Sequence, residues 1–109
     1  MSNRVNIAPL SANRAWQGRR FRTPALKQYQ RDLTLLLPSL RVPEGKIEAI
    51  YKFGLSSANS DLDNCIKATQ DILATKYQFN DKMIFRLTAE KEKVKKGGEY
   101  VEFELREYI

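Results

Sequence analysis

A chain of 109 residues, 42% hydrophobic and 29% charged, has the composition of one globular domain spanning 1–109, and folding at that size removes roughly two-thirds of the unfolded chain's surface from water. One cysteine and no histidine exclude an intrachain disulfide, a thiolate or imidazole zinc site and any nucleophile driven by a histidine base, so catalysis is left to carboxylates, lysines and a metal. The net charge of +6 is uneven: residues 1–60 hold 10 Lys and Arg against 3 Asp and Glu, residues 61–109 hold 9 against 10, which points to a polyanion-binding front beside an acidic centre.

No apolar run approaches the roughly 20 residues that cross a bilayer, and Met1 to Leu10 lacks a signal peptide's apolar core, so the expectation is a soluble, cytoplasmic protein without a membrane partner. In chain order, Val5 to Pro9 is a short strand candidate, and Leu10 to Arg22 is a basic segment without periodicity. Thr23-Pro24 then forms an N-cap with proline at the first helical position, opening a helix to about Leu37 with Ala25, Tyr29, Leu33 and Leu36 along its stripe and Pro38 as its stop. Ile47, Ala49, Tyr51 and Phe53 alternate with Glu48, Ile50 and Lys52 as a strand with one buried face.

The turn-rich loop Ser56 to Ser60 leads into a second helix, with Ser60 as N-cap, Asp63 at the third position, and Leu62, Cys65, Ile66, Thr69, Ile72 and Leu73 on a mostly apolar face. Cys65 reads as a small buried residue. The helical pattern stops after Tyr77, and Phe79 to Lys82 connects to an alternating strand with Met83, Phe85, Leu87 and Ala89 inward. Lys95-Lys96-Gly97-Gly98 is a hairpin turn, and Val101, Phe103 and Leu105 face inward on a last strand between Glu102, Glu104 and Arg106. The layout predicts an α+β domain, a mixed sheet of about four strands with two helices in the order β-α-β-α-β-β.

Chemistry concentrates in Ser60-Asp61-Leu62-Asp63-Asn64-Cys65-Ile66-Lys67. At a strand-loop-helix junction Asp61 precedes the helix and converges with Asp63, while Lys67 and Asp71 follow on one helical face at four-residue intervals. Asp81, on the next loop, is in a position to close the site. Converging carboxylates repel unless a hard cation holds them, and Mg2+, with Mn2+ as a substitute, suits oxygen ligands completed by water and phosphate. The competing reading is structural: acidic residues at a helix start are favoured by the macrodipole, and the i, i+4 series is ordinary surface pairing. Arg14, Trp16, Arg19, Arg20, Phe21 and Arg22 interleave arginine with aromatic rings, a pattern that suits phosphate clamping and base stacking. Its alternative is a loop whose aromatics anchor to the core. Lys91, Lys93, Lys95 and Lys96, alternating near a turn, read as a solubilising tip or a second DNA contact.

Asp-Leu-Asp-Asn-x-x-Lys-Ala over Asp61 to Ala68, followed by Asn80-Asp81-Lys82-Met83-Ile84, closely resembles the RusA family of Holliday junction resolvases. The resemblance implies a metal-dependent endonuclease of DNA recombination and repair, of host or phage role, with essential groups at Asp61, Asp63, Asp81 and Lys67. It extends to Pro9, Asn13 and Arg14, which fall in a proline-to-asparagine loop of the kind the family shows, so the expected DNA-binding set is Asn13, Arg14, Trp16, Arg19, Arg20 and Arg22. Two departures stand out: Asn80 occupies the first place of the family's acidic pair, leaving Asp81 as the carboxylate there, and Ser56 to Ser60 replaces a basic run. The expected partner is a four-way junction. Its two equivalent scissile phosphates match the two sites of a C2 homodimer. The alternatives are a non-catalytic basic DNA-binding module, whose carboxylates only cap a helix, and a purely structural protein.

Overall fold

The computed structural model describes residues 2–10, 16–17, 21–57 and 61–109, with backbone alone at 16–17 and 21–22. Strand β1 is Asn3–Val5, β2 and β3 are the two-residue strands Trp16–Gln17 and Phe21–Arg22, and α1 is Pro24–Leu36. Strand β4 (Ile47–Leu55), helix α2 (Leu62–Tyr77), a 3-10 turn (Asp81–Met83), β5 (Ile84–Lys93) and β6 (Tyr100–Glu107) complete the order. The result is the expected α+β domain: two helices and a four-stranded mixed sheet ordered β1-β6-β4-β5, with β2 and β3 as a separate antiparallel ribbon.

Helix α1 starts as the Thr-Pro pair dictates, the Thr23 hydroxyl accepting from the Leu26 amide at 3.2 Å. Its buried residues are Leu26, Tyr29 and Leu33, with Leu37 buried just past its end, so the expected stripe is shifted: Ala25 is exposed and Leu36 is 53% exposed. The shift follows from Leu37, which leaves the helix in an extended conformation and turns back to the core in place of Leu36. The two helices are tied at their middles by the Tyr29 and Thr69 hydroxyls at 2.8 Å, and at their C-terminal ends by the Tyr77 hydroxyl donating to the Pro38 carbonyl at 2.6 Å. Burial of the Tyr29 and Tyr51 phenols, the latter donating to Gln70 Oε1 at 2.9 Å, pushes both well above the usual tyrosine range.

Strand β4 holds the centre. Ala49, Tyr51 and Phe53 pack with Leu33, Cys65, Leu73, Val101 and Phe103, and Ile47 is buried at the start of the strand. Cys65 is fully buried, as its small apolar character suggests. On the opposite face of the sheet the Glu48 carboxylate, nearly buried, accepts from Arg106 Nε at 3.0 Å and sits 3.9 Å from Arg86. Near the end of β4 the Tyr100 ring lies across Gly54, where a Cβ would collide with it; the ring is held by the Arg4 guanidinium 3.9 Å from its centroid and by a 2.8 Å hydrogen bond to Glu92.

Three other expectations are corrected. The first strand covers Asn3–Val5 rather than Val5 to Pro9, because only those residues find partners on β6. Lys95 to Gly98 does form a turn, with the Gly98 amide donating to the Lys95 carbonyl at 2.8 Å and Gly97 at φ +97°, but β5 and β6 are not hairpin partners. Strand β4 stands between them, parallel to β5 and antiparallel to β6. Finally, Phe85 and Leu87 are 54% and 41% exposed, because β5 is an edge strand and Phe85 is an extra residue where Ile47 pairs with Ile84 but Glu48 with Arg86. Phe85 stacks instead near Tyr108, ring centroids 5.8 Å apart.

Candidate active site

The β4-α2-β5 unit determines where the acidic residues stand. Strand β4 ends at buried Leu55, and α2 begins after Asp61, whose extended backbone (φ −74°, ψ 135°) makes it the N-cap in place of Ser60. Its side chain makes no capping bond; Asp61 Oδ2 accepts instead from Asn64 Nδ2 at 3.5 Å, and Asp63 Oδ1 from the Asn64 amide at 3.1 Å. The structural alternative in which these carboxylates serve as caps therefore lacks the bond that would define it. Both side chains are exposed at the positive end of a 16-residue helix, and Lys67 is exposed one turn beyond Asp63.

Cys65 acts as a probe of this end. Burial pushes its thiol up, the nearby Lys91 ammonium pulls it back, and Asp61 and Asp63 raise it further. Lys91, opposite Phe53 on β5, therefore shares the neighbourhood of the two aspartates. In the sequence Lys91 is one of the lysines near the turn; its register on a strand parallel to β4, nine residues before Tyr100, is fixed only by the crossover.

Asp81 is elsewhere. It opens the 3-10 turn before β5, and Ile84 pairs with Ile47 at the start of β4, whereas Asp61 follows the end of β4. Helix α2 lies between them, about 24 Å long at 1.5 Å per residue. Asp61 and Asp63 are brought together within one chain; Asp81 is not brought to them, and among the described residues no group of three His, Cys, Asp or Glu stands close enough to hold a metal. Asn80 has a local task that explains its type: its side chain caps the turn, accepting from the Lys82 amide at 2.9 Å. A groove of about 610 Å3 beside the lower half of α2 is lined by Gln30, Asp71, Thr75, Asn80 and Asp81 among others.

The family model of endodeoxyribonuclease RusA matches residues 8–104 of the 109-residue chain. The chain belongs to the RusA endodeoxyribonuclease family. Membership makes it a nuclease of a family whose activity is Holliday junction resolution and whose members act on DNA junctions, generally with a divalent metal. No curated protein matched the chain. Of the expected DNA-binding residues, Asn13, Arg14, Arg19 and Arg20 lie outside the described residues, while Trp16 and Arg22 are direct cross-strand partners in the β2-β3 ribbon. Among the described residues no helix is long and apolar enough to cross a membrane.

Proposed function

We propose that this RusA-family chain is a Mg2+-dependent endodeoxyribonuclease that resolves four-way junctions by paired phosphodiester hydrolysis in DNA recombination and repair, acting as a homodimer. The observation that carries the reading is the start of α2: two exposed carboxylates without a capping bond, and a lysine one turn along. Asp61 and Asp63 are the ligand pair that the chain brings together, and Asp81 joins the set on the family's pattern, since its own chain holds it at the far end of α2. Oxygen donors alone, few in number and open to solvent, suit Mg2+, which keeps several waters and uses few carboxylates. When bound, the cation activates a water and neutralises charge on the scissile phosphate.

The remaining work belongs to the chain. The ammonium of Lys67 meets charge developing on the phosphate oxygens, and the positive end of α2 adds to the same field. Asn13, Arg14, Trp16, Arg19, Arg20 and Arg22 hold the junction, arginines on phosphates and Trp16 against an unstacked base at the branch. Incubating labelled four-way, three-way and linear duplex DNA with and without Mg2+ tests this. Paired nicks confined to four-way DNA and dependent on Mg2+ are expected; tight binding without cleavage in Mg2+ or Mn2+ would replace the enzyme with a basic DNA-binding module.

A further inference from the structure

Resting on that reading, we infer that Lys91 and Lys93 are positioning residues for the strand that is cut: they hold its phosphates beside Asp61 and Asp63. The segment Glu90-Lys91-Glu92-Lys93 alternates in sign, and as plain sequence it is a mixed, solubilising stretch. The register sorts it. Lys91 pairs with Phe53 and Lys93 with Leu55, both core residues, so the two lysines stand on the face of the sheet that carries α2. Glu90 and Glu92 stand on the other face, where Glu92 accepts from the Tyr100 hydroxyl at 2.8 Å. Of these four residues, the α2 side holds only the cations.

The crossover fixes where those cations stand. Strands β4 and β5 run parallel with α2 between them in the chain, and the Val94 amide donates to the Leu55 carbonyl at 2.8 Å, which ties Lys93 to the finishing end of β4. The carboxyl ends of parallel strands joined by a helix are where open α/β sheets commonly take their ligands. At that end Leu55, Ser57 and residues 91–93 line a hollow of about 110 Å3, and Lys91 stands near Cys65, as Asp61 and Asp63 do. The loop over 56–60 contributes no Lys or Arg, so β5 supplies the charge that the loop does not. Two residues along a parallel strand span about 6.6 Å, a spacing close to that of successive phosphates on one DNA strand. Lys91 and Lys93 therefore meet neighbouring phosphates, each displacing condensed counterions. They grip the backbone equally before and during the reaction, so they act on binding, whereas Lys67 acts on the chemical step.

Salt-dependent binding of labelled four-way DNA, without a divalent metal, tests the pair. For the Lys91→Ala/Lys93→Ala protein the plot of log Kd against log salt should flatten by about 1.8, at about 0.9 per phosphate. Between about 50 and 200 mM salt the variant should therefore lose about 12-fold less affinity than the wild type. Lys91→Arg/Lys93→Arg should keep the wild-type slope, and so should Lys95→Ala/Lys96→Ala, which removes equal charge at the turn. With Mg2+ and saturating protein, the Lys91→Ala/Lys93→Ala variant should cut at the wild-type single-turnover rate. An unchanged slope, equal flattening by the Lys95 and Lys96 substitutions, or a lowered rate at saturation would overturn the inference. Aggregation of the variant with normal DNA binding would also overturn it, leaving protection of the sheet edge as the lysines' task. The slope is read without cleavage, so a wild type that cuts nothing in Mg2+ overturns the enzyme reading, while the slope still decides whether Lys91 and Lys93 grip DNA.

Discussion

Replacing Gly54 by alanine should destabilise the protein by about 2 kcal/mol. The added methyl meets the Tyr100 ring, and the ring cannot drift, because Arg4 covers its face and Glu92 holds its hydroxyl. Moving the ring sacrifices a hydrogen bond worth about 1 kcal/mol and a cation-π interaction worth about 0.5 to 1 kcal/mol, while leaving it in place costs an overpacked site about 1 to 3 kcal/mol. Against this, alanine stiffens the unfolded chain and returns roughly 0.4 to 1 kcal/mol. At about 4 °C per kcal/mol for a domain of this length, the midpoint of thermal unfolding followed by circular dichroism should fall by about 8 °C. The same substitution in a Tyr100→Val background should be neutral or slightly stabilising, giving a coupling of about 2 kcal/mol between the two positions. A Gly54→Ala protein as stable as the wild type would refute the packing argument.

Lys67→Ala should lower the single-turnover cleavage rate far more than it weakens junction binding, since a charge aimed at the transition state acts on chemistry; lost binding with intact chemistry would make Lys67 a phosphate anchor. Replacing Arg19, Arg20 and Arg22 together by alanine should weaken binding and flatten the log Kd against log salt plot by about 0.9 for each phosphate no longer neutralised, and an unchanged slope would move the DNA face elsewhere. Alkali should unfold the protein. Cys65, Tyr29 and Tyr51 hold their protons more tightly folded than unfolded, and Tyr100 is pushed up to about 12, first by burial and then by Glu92. Their stabilising effect is complete below the ordinary thiol and phenol values and is lost as pH rises above them, so the unfolding temperature should drop between about pH 9 and 11; a flat profile there would contradict the burial of these groups.

Local pattern made much of the fold legible. The alternation of β4 and the Thr-Pro start of α1 act through neighbours a few residues apart, and both appear as read. What failed depended on distant partners. Nothing near Phe85 marks it as the extra residue of a bulge, so the alternation along β5 points to the wrong inward face, and the Gly97 turn gives no sign that β4 separates the strands it joins. Helix α2 ends at Gln78, a left-handed residue with φ 55°, without the glycine that usually signals such an end. The dispersal of the acidic residues, by contrast, was readable: a helix of 16 residues between Asp61 and Asp81 already implies two ends.

The placement of β6 between β4 and β1 also orders the assembly of the chain in time. Its ties are distant in sequence: Arg106 reaches Glu48 across 58 positions and Arg4 reaches Glu102 across 98. A chain growing from the ribosome can assemble α1, β4, α2 and β5 before β6 emerges, yet β4 then offers one whole edge, with Tyr51 and Phe53 beside it, to any passing strand. β6 thus seals the middle of the sheet, and β1, much earlier in the chain, can dock only after it. Non-local closure of this kind slows folding relative to a helical domain and leaves the β4 edge open to misassembly until β6 has docked.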